Sequence, residues 1–198
     1  MLSRSLVCLL CVWVVLASSA QADTIASNSG GSGYNVEGYL GLSATTGAEG
    51  PWNGIEFSWL DGSSLVAQGD LYIFTSEFTG APDALASSSY FAVSSTTSGG
   101  VYGFESSVTL EANTTYYFFS DALFSEGAIS ASLSDTYTGG EPYFSGAVDQ
   151  AFLSYGFQNF DWDFVLSGNP VPEPTSLALF GLGAAGIAVV RRRKRKAG

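Results

Sequence analysis

The chain of 198 residues contains no histidine, and its 7 lysines and arginines sit near the two ends, as Arg4 and a cluster over 191–196. Its 2 cysteines, Cys8 and Cys11, also lie in the first segment. Between positions 23 and 173 there is therefore no Lys, Arg, His or Cys. Each absence removes a class of chemistry. Without His or Cys, neither a Ser-His-Asp nor a Cys-His nucleophile system can be built there. Zinc loses its usual nitrogen and sulfur ligands. Phosphoryl-transfer clamps and Schiff-base catalysis need Lys or Arg. Nucleic-acid binding through phosphate contacts is excluded, because the positive footprint is missing. Disulfides are ruled out too, even in a compartment that would permit them.

What remains is acid. All 18 carboxylate side chains fall between Asp23 and Glu173, and the net charge is -11 at pH 7. With no cation in the same stretch, each carboxylate must be solvated, hydrogen-bonded or neutralised by a bound ion.

The first 22 residues have the layout of a secretory signal peptide. Arg4 supplies the positive start, residues 6–17 an apolar core, and Ala20 and Ala22 flank Gln21 as a small-x-small cleavage pattern. Cleavage there places Asp23 at the mature N-terminus and removes both cysteines. Residues 23–34 are small and polar, which predicts a flexible leader.

Residues 35–168 form the candidate domain, long enough for one core and too short for two comfortable ones. Short runs rich in aromatic and β-branched residues alternate with Gly, Ser, Asp and Asn, without sustained helical periodicity. Strands are predicted over 55–59, 71–75, 90–94, 101–105, 115–119, 129–133 and 151–155. Asp61-Gly62 and Gly99-Gly100 are predicted turns, as is 111–113. In the last predicted strand, Phe160, Trp162, Phe164 and Leu166 share one face, and Asp161, Asp163 and Val165 the other. The fold class this implies is all-β, an antiparallel β-sandwich of jelly-roll-like topology. A signal peptide and a single C-terminal transmembrane helix flank it.

Candidate sites in the domain are few. A carboxylate pair suffices for glycoside hydrolysis, and Glu105, Glu111, Asp161 and Asp163 are available. None lies in a recognisable apolar pocket that would raise its pKa, and no catalytic residue is assigned. Calcium takes oxygen ligands, and on an extended strand Asp161 and Asp163 would stand about 7 Å apart on one face. The simpler expectation for this pair is a solvated outer face of an edge strand. Trp52, Trp59 and Trp162 could stack on sugars if exposed, although most such rings are expected in the core; Trp52, in a predicted loop beside Pro51 and Gly54, is the first candidate. Asn113-Thr114-Thr115 spells a glycosylation sequon, here expected to be a turn.

The C-terminus is the most specific part. Val171, Pro172, Glu173, Pro174 and Thr175 form a Pro-rich box that a helix cannot easily continue through. An apolar span over 175–190 follows, then Arg191, Arg192, Arg193, Lys194, Arg195 and Lys196. A basic cluster after an apolar span orients it with the basic end in the cytoplasm. The span's 16 residues give a helix of about 24 Å, short of a hydrocarbon core of roughly 30 Å. Gly181, Gly183 and Gly186 give it a small-residue surface on which another membrane helix could pack.

Box, span and basic cluster, taken as a unit over 169–198, closely resemble the PEP-CTERM sorting signal of exported Gram-negative bacterial proteins. The resemblance implies processing by an exosortase, a membrane protease-transpeptidase, in bacteria that make extracellular polysaccharide. Residues 71–86 and 108–117 are also similar to the β-sandwich ectodomains of secreted proteins named for a choice of anchor, a likeness that carries no catalytic residues. Together these features predict a non-enzymatic exported surface or matrix protein, associated with exopolysaccharide and at least transiently anchored in the membrane. The alternative is a carbohydrate-binding or calcium-dependent adhesive module. No cofactor other than calcium is implied.

Overall fold

The computed structural model describes residues 22–34, 36–62, 64–124, 129–134, 136–154 and 160–171. Strands are numbered in chain order. One antiparallel sheet runs β1 (Asp23–Asn28), β15 (Phe164–Pro170), β4 (Trp52–Asp61), β9 (Val101–Gly103) and β8 (Thr96–Ser98), with β5 (Ser64–Val66) also on β4. A second runs β13 (Leu153–Ser154), β12 (Pro142–Ser145), β3 (Tyr39–Thr45), β10 (Thr115–Ser120), β6 (Leu71–Phe74) and β7 (Ala92–Val93). A small third sheet joins β14 (Asp161–Trp162), β11 (Ile129–Ser132) and β2 (Ser32–Tyr34). The fold is all-β and sandwich-like, as the alternation of short apolar runs and turn residues predicts.

Period-two patterning explains why the second sheet is central. In β10, Tyr116 and Phe118 enter the main core, whereas Tyr117 and Phe119 face the opposite side. In β6, Leu71 and Ile73 enter the main core and Tyr72 and Phe74 the other. Both faces are thus buried, which is why 71–74 is an unbroken apolar run. On one side the sheet meets the first sheet, where the Phe57 ring stacks 5.1 Å from Phe118 and 5.8 Å from Phe164. On the other side a short 3₁₀ helix, Pro82–Ser87, contributes Leu85, and Phe78 and Phe152 close over Phe119 at 5.5 and 4.7 Å. With no disulfide available, these rings carry the burial; each removes about 150–250 Å² from water.

Three expectations need correction. First, residues 23–34 are not a loose leader: β1 pairs along β15 from Asp23↔Gly168 to Asn28↔Phe164, and β2 pairs with β11. Their small polar composition hides strands whose partners lie more than ninety positions away. Second, Trp52 is not in a loop. It opens β4 and is 4% exposed, packed with Ile55, Phe57 and Trp59 in the core. Its spacing of three from Ile55 breaks strict alternation because Gly54, at φ +56, supplies an extra residue opposite β15. That bulge shifts the inward phase by one. Third, 160–166 is not one uninterrupted strand. The ladder breaks at Asp163, whose N–H donates to the Ser130 carbonyl in β11 and whose carbonyl accepts from the Leu60 N–H of β4.

Among the described residues no helix is long and apolar enough to cross a membrane. The expected signal-peptide core, the cleavage-site residue Ala20, the apolar span over 175–190 and the basic cluster lie outside the described residues.

Candidate functional site

The sorting box leaves the domain without a spacer. β15 runs between β1 and β4, with Asn169 opposite Asn53 and Pro170 opposite Trp52. The next N–H, that of Val171, donates to the Pro51 carbonyl at 2.8 Å. Val171 is thus the only box residue inside the described region, and it is tied to the rim of the sheet. Asp23 pairs with Gly168, so the start of β1 and the exit of the tail share one end of the same sheet. Pro172, Glu173, Pro174 and Thr175 lie outside the described residues.

Asp161 and Asp163, expected on a solvated face, are 4% and 1% exposed. The break in the ladder turns both carboxylates inward onto donors. Asp163 accepts from the Asn28 side-chain amide at 3.2 Å on one oxygen. On the other it accepts from the Gly31 N–H and the Ser130 hydroxyl, each at 2.8 Å. Asp161 accepts from the N–H groups of Thr136 and Tyr137 at 2.7 and 2.8 Å. Thr136 in turn donates its hydroxyl to the Asn28 side-chain oxygen at 2.9 Å. Backbone and hydroxyl donors therefore do for these charges what a cation does elsewhere. Among the described residues no three His, Cys, Asp or Glu side chains gather as a metal cage.

The other candidates are dispersed. Glu105 and Glu111 are exposed, on the segments that follow β9 and the Leu110–Trp52 bridge. Trp59 is fully buried, and Trp162 is buried with its indole N–H donating to the Tyr143 carbonyl at 3.1 Å. Asn113 sits at φ +51 in the turn before β10, a left-handed position that Asn tolerates.

One cluster escaped sequence reading. Asp121 accepts from the Asp70 N–H at 2.8 Å and from the Tyr72 hydroxyl at 3.5 Å. Burial, then the Asp121 charge, raises the Asp70 carboxyl above its usual value. Burial, then Asp121, Asp70 and Tyr90, pushes the Tyr72 phenol up to about 12. Asp70 and Asp121 stand 51 positions apart, and no linear pattern joins them.

A family model described as the PEP-CTERM protein-sorting motif matches residues 170–194, beginning at the last residue of β15. The class this defines is the exported, cell-envelope-associated protein that an exosortase processes. This chain carries a PEP-CTERM sorting motif, and its tail continues directly from a strand of an acidic all-β domain. No curated protein and no solved structure matches it.

Proposed function

We propose that the protein is a non-enzymatic component of the cell surface or extracellular matrix, delivered through its tail and held in exopolysaccharide. The observation that carries this reading is the sorting motif at 170–194 joined to a domain without Lys, Arg, His or Cys. A passive role is favoured by the disposition of the carboxylates: Asp161 and Asp163 are consumed by internal hydrogen bonds, and Glu105 and Glu111 are exposed and separate. Before processing, the apolar span holds the chain with its basic end in the cytoplasm. Afterwards the released domain carries carboxylates only, which keeps it soluble and repels anionic surfaces.

Fractionation of cells with and without residues 172–198 tests this. The intact chain should reach the envelope or matrix in a shortened form, and the truncated chain should lose that location. A truncated chain that reaches the same fraction would overturn the sorting role. For the matrix role, co-sedimentation of the purified domain with exopolysaccharide from producing cells should exceed that with material from non-producing cells.

A further inference from the structure

Asn113-Thr114-Thr115 has the Asn-x-Thr form that oligosaccharide transfer to a side-chain amide requires, and the sorting role leaves it unused. The turn that holds it is pinned without that amide. Thr46, 2% exposed, donates its hydroxyl to the Glu111 carbonyl at 2.6 Å and its N–H to the Thr114 carbonyl at 3.0 Å. The Thr114 N–H donates back to the Thr46 hydroxyl at 3.0 Å. The Asn113 N–H donates to the Gly47 carbonyl at 3.0 Å, and the Glu111 N–H to the Tyr116 hydroxyl at 2.9 Å. The Asn113 side chain, by contrast, is exposed and makes no hydrogen bond among the described residues. At φ +51 a glycine would serve the backbone at less cost, so the fold itself has no use for the amide. There is room for a bulky group: Gly47, Ala48 and Glu49 are exposed, and a Cβ on Gly47 would meet nothing within 4 Å. The required hydroxyl is at the surface too, where Thr115 opens β10 and shares a 2.8 Å hydrogen bond with Thr45 opposite.

We propose that Asn113 is a glycosylation site, whose Nδ2 receives an oligosaccharide from a polyprenyl-pyrophosphate donor through an oligosaccharyltransferase. A bond forms between Nδ2 and the anomeric carbon of the first sugar, and the bond from that carbon to the pyrophosphate oxygen breaks. The amide loses one proton, and the lipid pyrophosphate leaves. Such a donor is held in a membrane, and the turn lies at the end of the domain from which the tail departs. Leu110 and Trp52 exchange backbone hydrogen bonds at 2.9 Å in antiparallel register, and Pro170 faces Trp52 from the other side of β4. Residues 111–114 therefore leave the ladder at the rim where the Val171 N–H meets the Pro51 carbonyl. A chain still held by its tail brings this rim toward the membrane. The setting rests on the export reading, whereas the acceptor geometry belongs to the domain alone.

Intact-mass measurement of the protein from producing cells, followed by peptide fragmentation, tests this. The protein should exceed its sequence mass by whole sugar residues, and fragmentation should place them on Asn113. Asn113→Gly, which suits φ +51, and Thr115→Val, which keeps a branched side chain in the strand, should each lose the added mass. Thr115→Ser keeps the hydroxyl and should retain it. A native mass equal to that of the sequence, or added sugar that persists in Asn113→Gly, would overturn the proposal. The same spectra separate it from the sorting role. A chain shortened at its tail but without sugar refutes the glycan and leaves sorting intact. A glycosylated chain with an uncut tail supports the glycan and refutes sorting.

Discussion

The side-chain amide of Asn28 donates to a carboxylate oxygen of Asp163 at 3.2 Å, across 135 positions of sequence. This contact joins the end of the first strand to the residue where the last long ladder breaks. Asp163 also holds Gly31 and Ser130 through its carboxylate, and Leu60 through its carbonyl. The node therefore binds β1, the turn after it, β4 and β11 to one residue. Because the domain has no Lys, Arg or His, a buried charge here depends wholly on such donors.

Asp163→Asn should destabilise the domain by about 1–3 kcal/mol, since an amide nitrogen cannot accept where a carboxylate oxygen did. Gly31→Ala should do similar damage by another route. A Cβ there would stand 2.3 Å from the Ala131 carbonyl carbon, forcing Gly31 and its N–H away from Asp163. Both changes break one shared hydrogen bond, so the double variant should lose less than the sum of the singles. Urea unfolding of the four proteins measures this. Simple additivity would show that Gly31 acts elsewhere.

The ease of reading this chain varied with how local each signal was. The box and basic cluster are linear motifs, and the aromatic runs at 71–74 and 115–119 declare strands by composition and period. Gly99 and Gly100, at φ +61 and +83, form the turn between β8 and β9 that their identity predicts. By contrast β3 contains Gly41, Ser43 and Ala44, which look like loop chemistry. Gly41 is there because the Phe119 ring lies over it: a Cβ would come within 2.3 Å of a ring carbon. β1 is a strand because β15 is beside it, and Asp163 is buried because Asn28, Gly31 and Ser130 converge on it. Those reasons are long-range and leave no mark within a short window of sequence.

Asp70→Asn should stabilise the domain slightly at neutral pH. The Asp70 carboxyl is raised in the folded state by burial and then by the Asp121 charge, so the folded state holds its proton better than the unfolded chain does. Stability from this group is therefore present at low pH and is lost as pH rises through the raised value. Replacing the acid removes that loss. The gain in urea midpoint should be seen at pH 7 and should shrink below about pH 4, where Asp70 is protonated in both states. A gain independent of pH would mean that charge is not its source.

Alkali should unfold the domain through its tyrosines alone. Burial is the leading cause that raises the phenols of Tyr72, Tyr102, Tyr137 and Tyr143, with Tyr72 reaching about 12. A raised folded value means that the neutral phenol is preferred in the fold. Its stabilising contribution is complete below the ordinary phenol value of about 10 and is lost as pH climbs through the folded value. Nothing between residues 23 and 171 is a Lys, Arg, His or Cys side chain. Stability should accordingly be nearly flat from about pH 6 to 9 and fall steeply above about pH 10. Phenolate absorbance should rise together with unfolding, and Tyr72→Phe should blunt the fall. A marked decline between pH 7 and 9 would contradict this.

The Gly54 bulge should not accept a side chain without loss of stability. At φ +56 an L side chain costs about 1–2 kcal/mol in backbone strain. A Cβ at that position would also stand 2.6 Å from the Asn169 amide nitrogen. Gly54→Ala should therefore lower stability by at least that strain. Deleting Gly54 should be milder for the ring, because removing the extra residue leaves Trp52 on the same face as Ile55, with Asn53 and Trp52 still opposite Asn169 and Pro170. Trp52→Ala, which leaves the register intact, should cost about 3–5 kcal/mol through the cavity alone. Tryptophan emission checks that the ring stays buried. Trp52, Trp59 and Trp162 are each at most 4% exposed, so the folded protein should emit in the blue and resist iodide quenching. Gly54→Ala and the deletion should each leave the spectrum unchanged below the melting point, because neither turns Trp52 off the core face. Quenching of Trp52 in the unaltered protein would return that ring to the surface and remove the bulge as the reason for its burial.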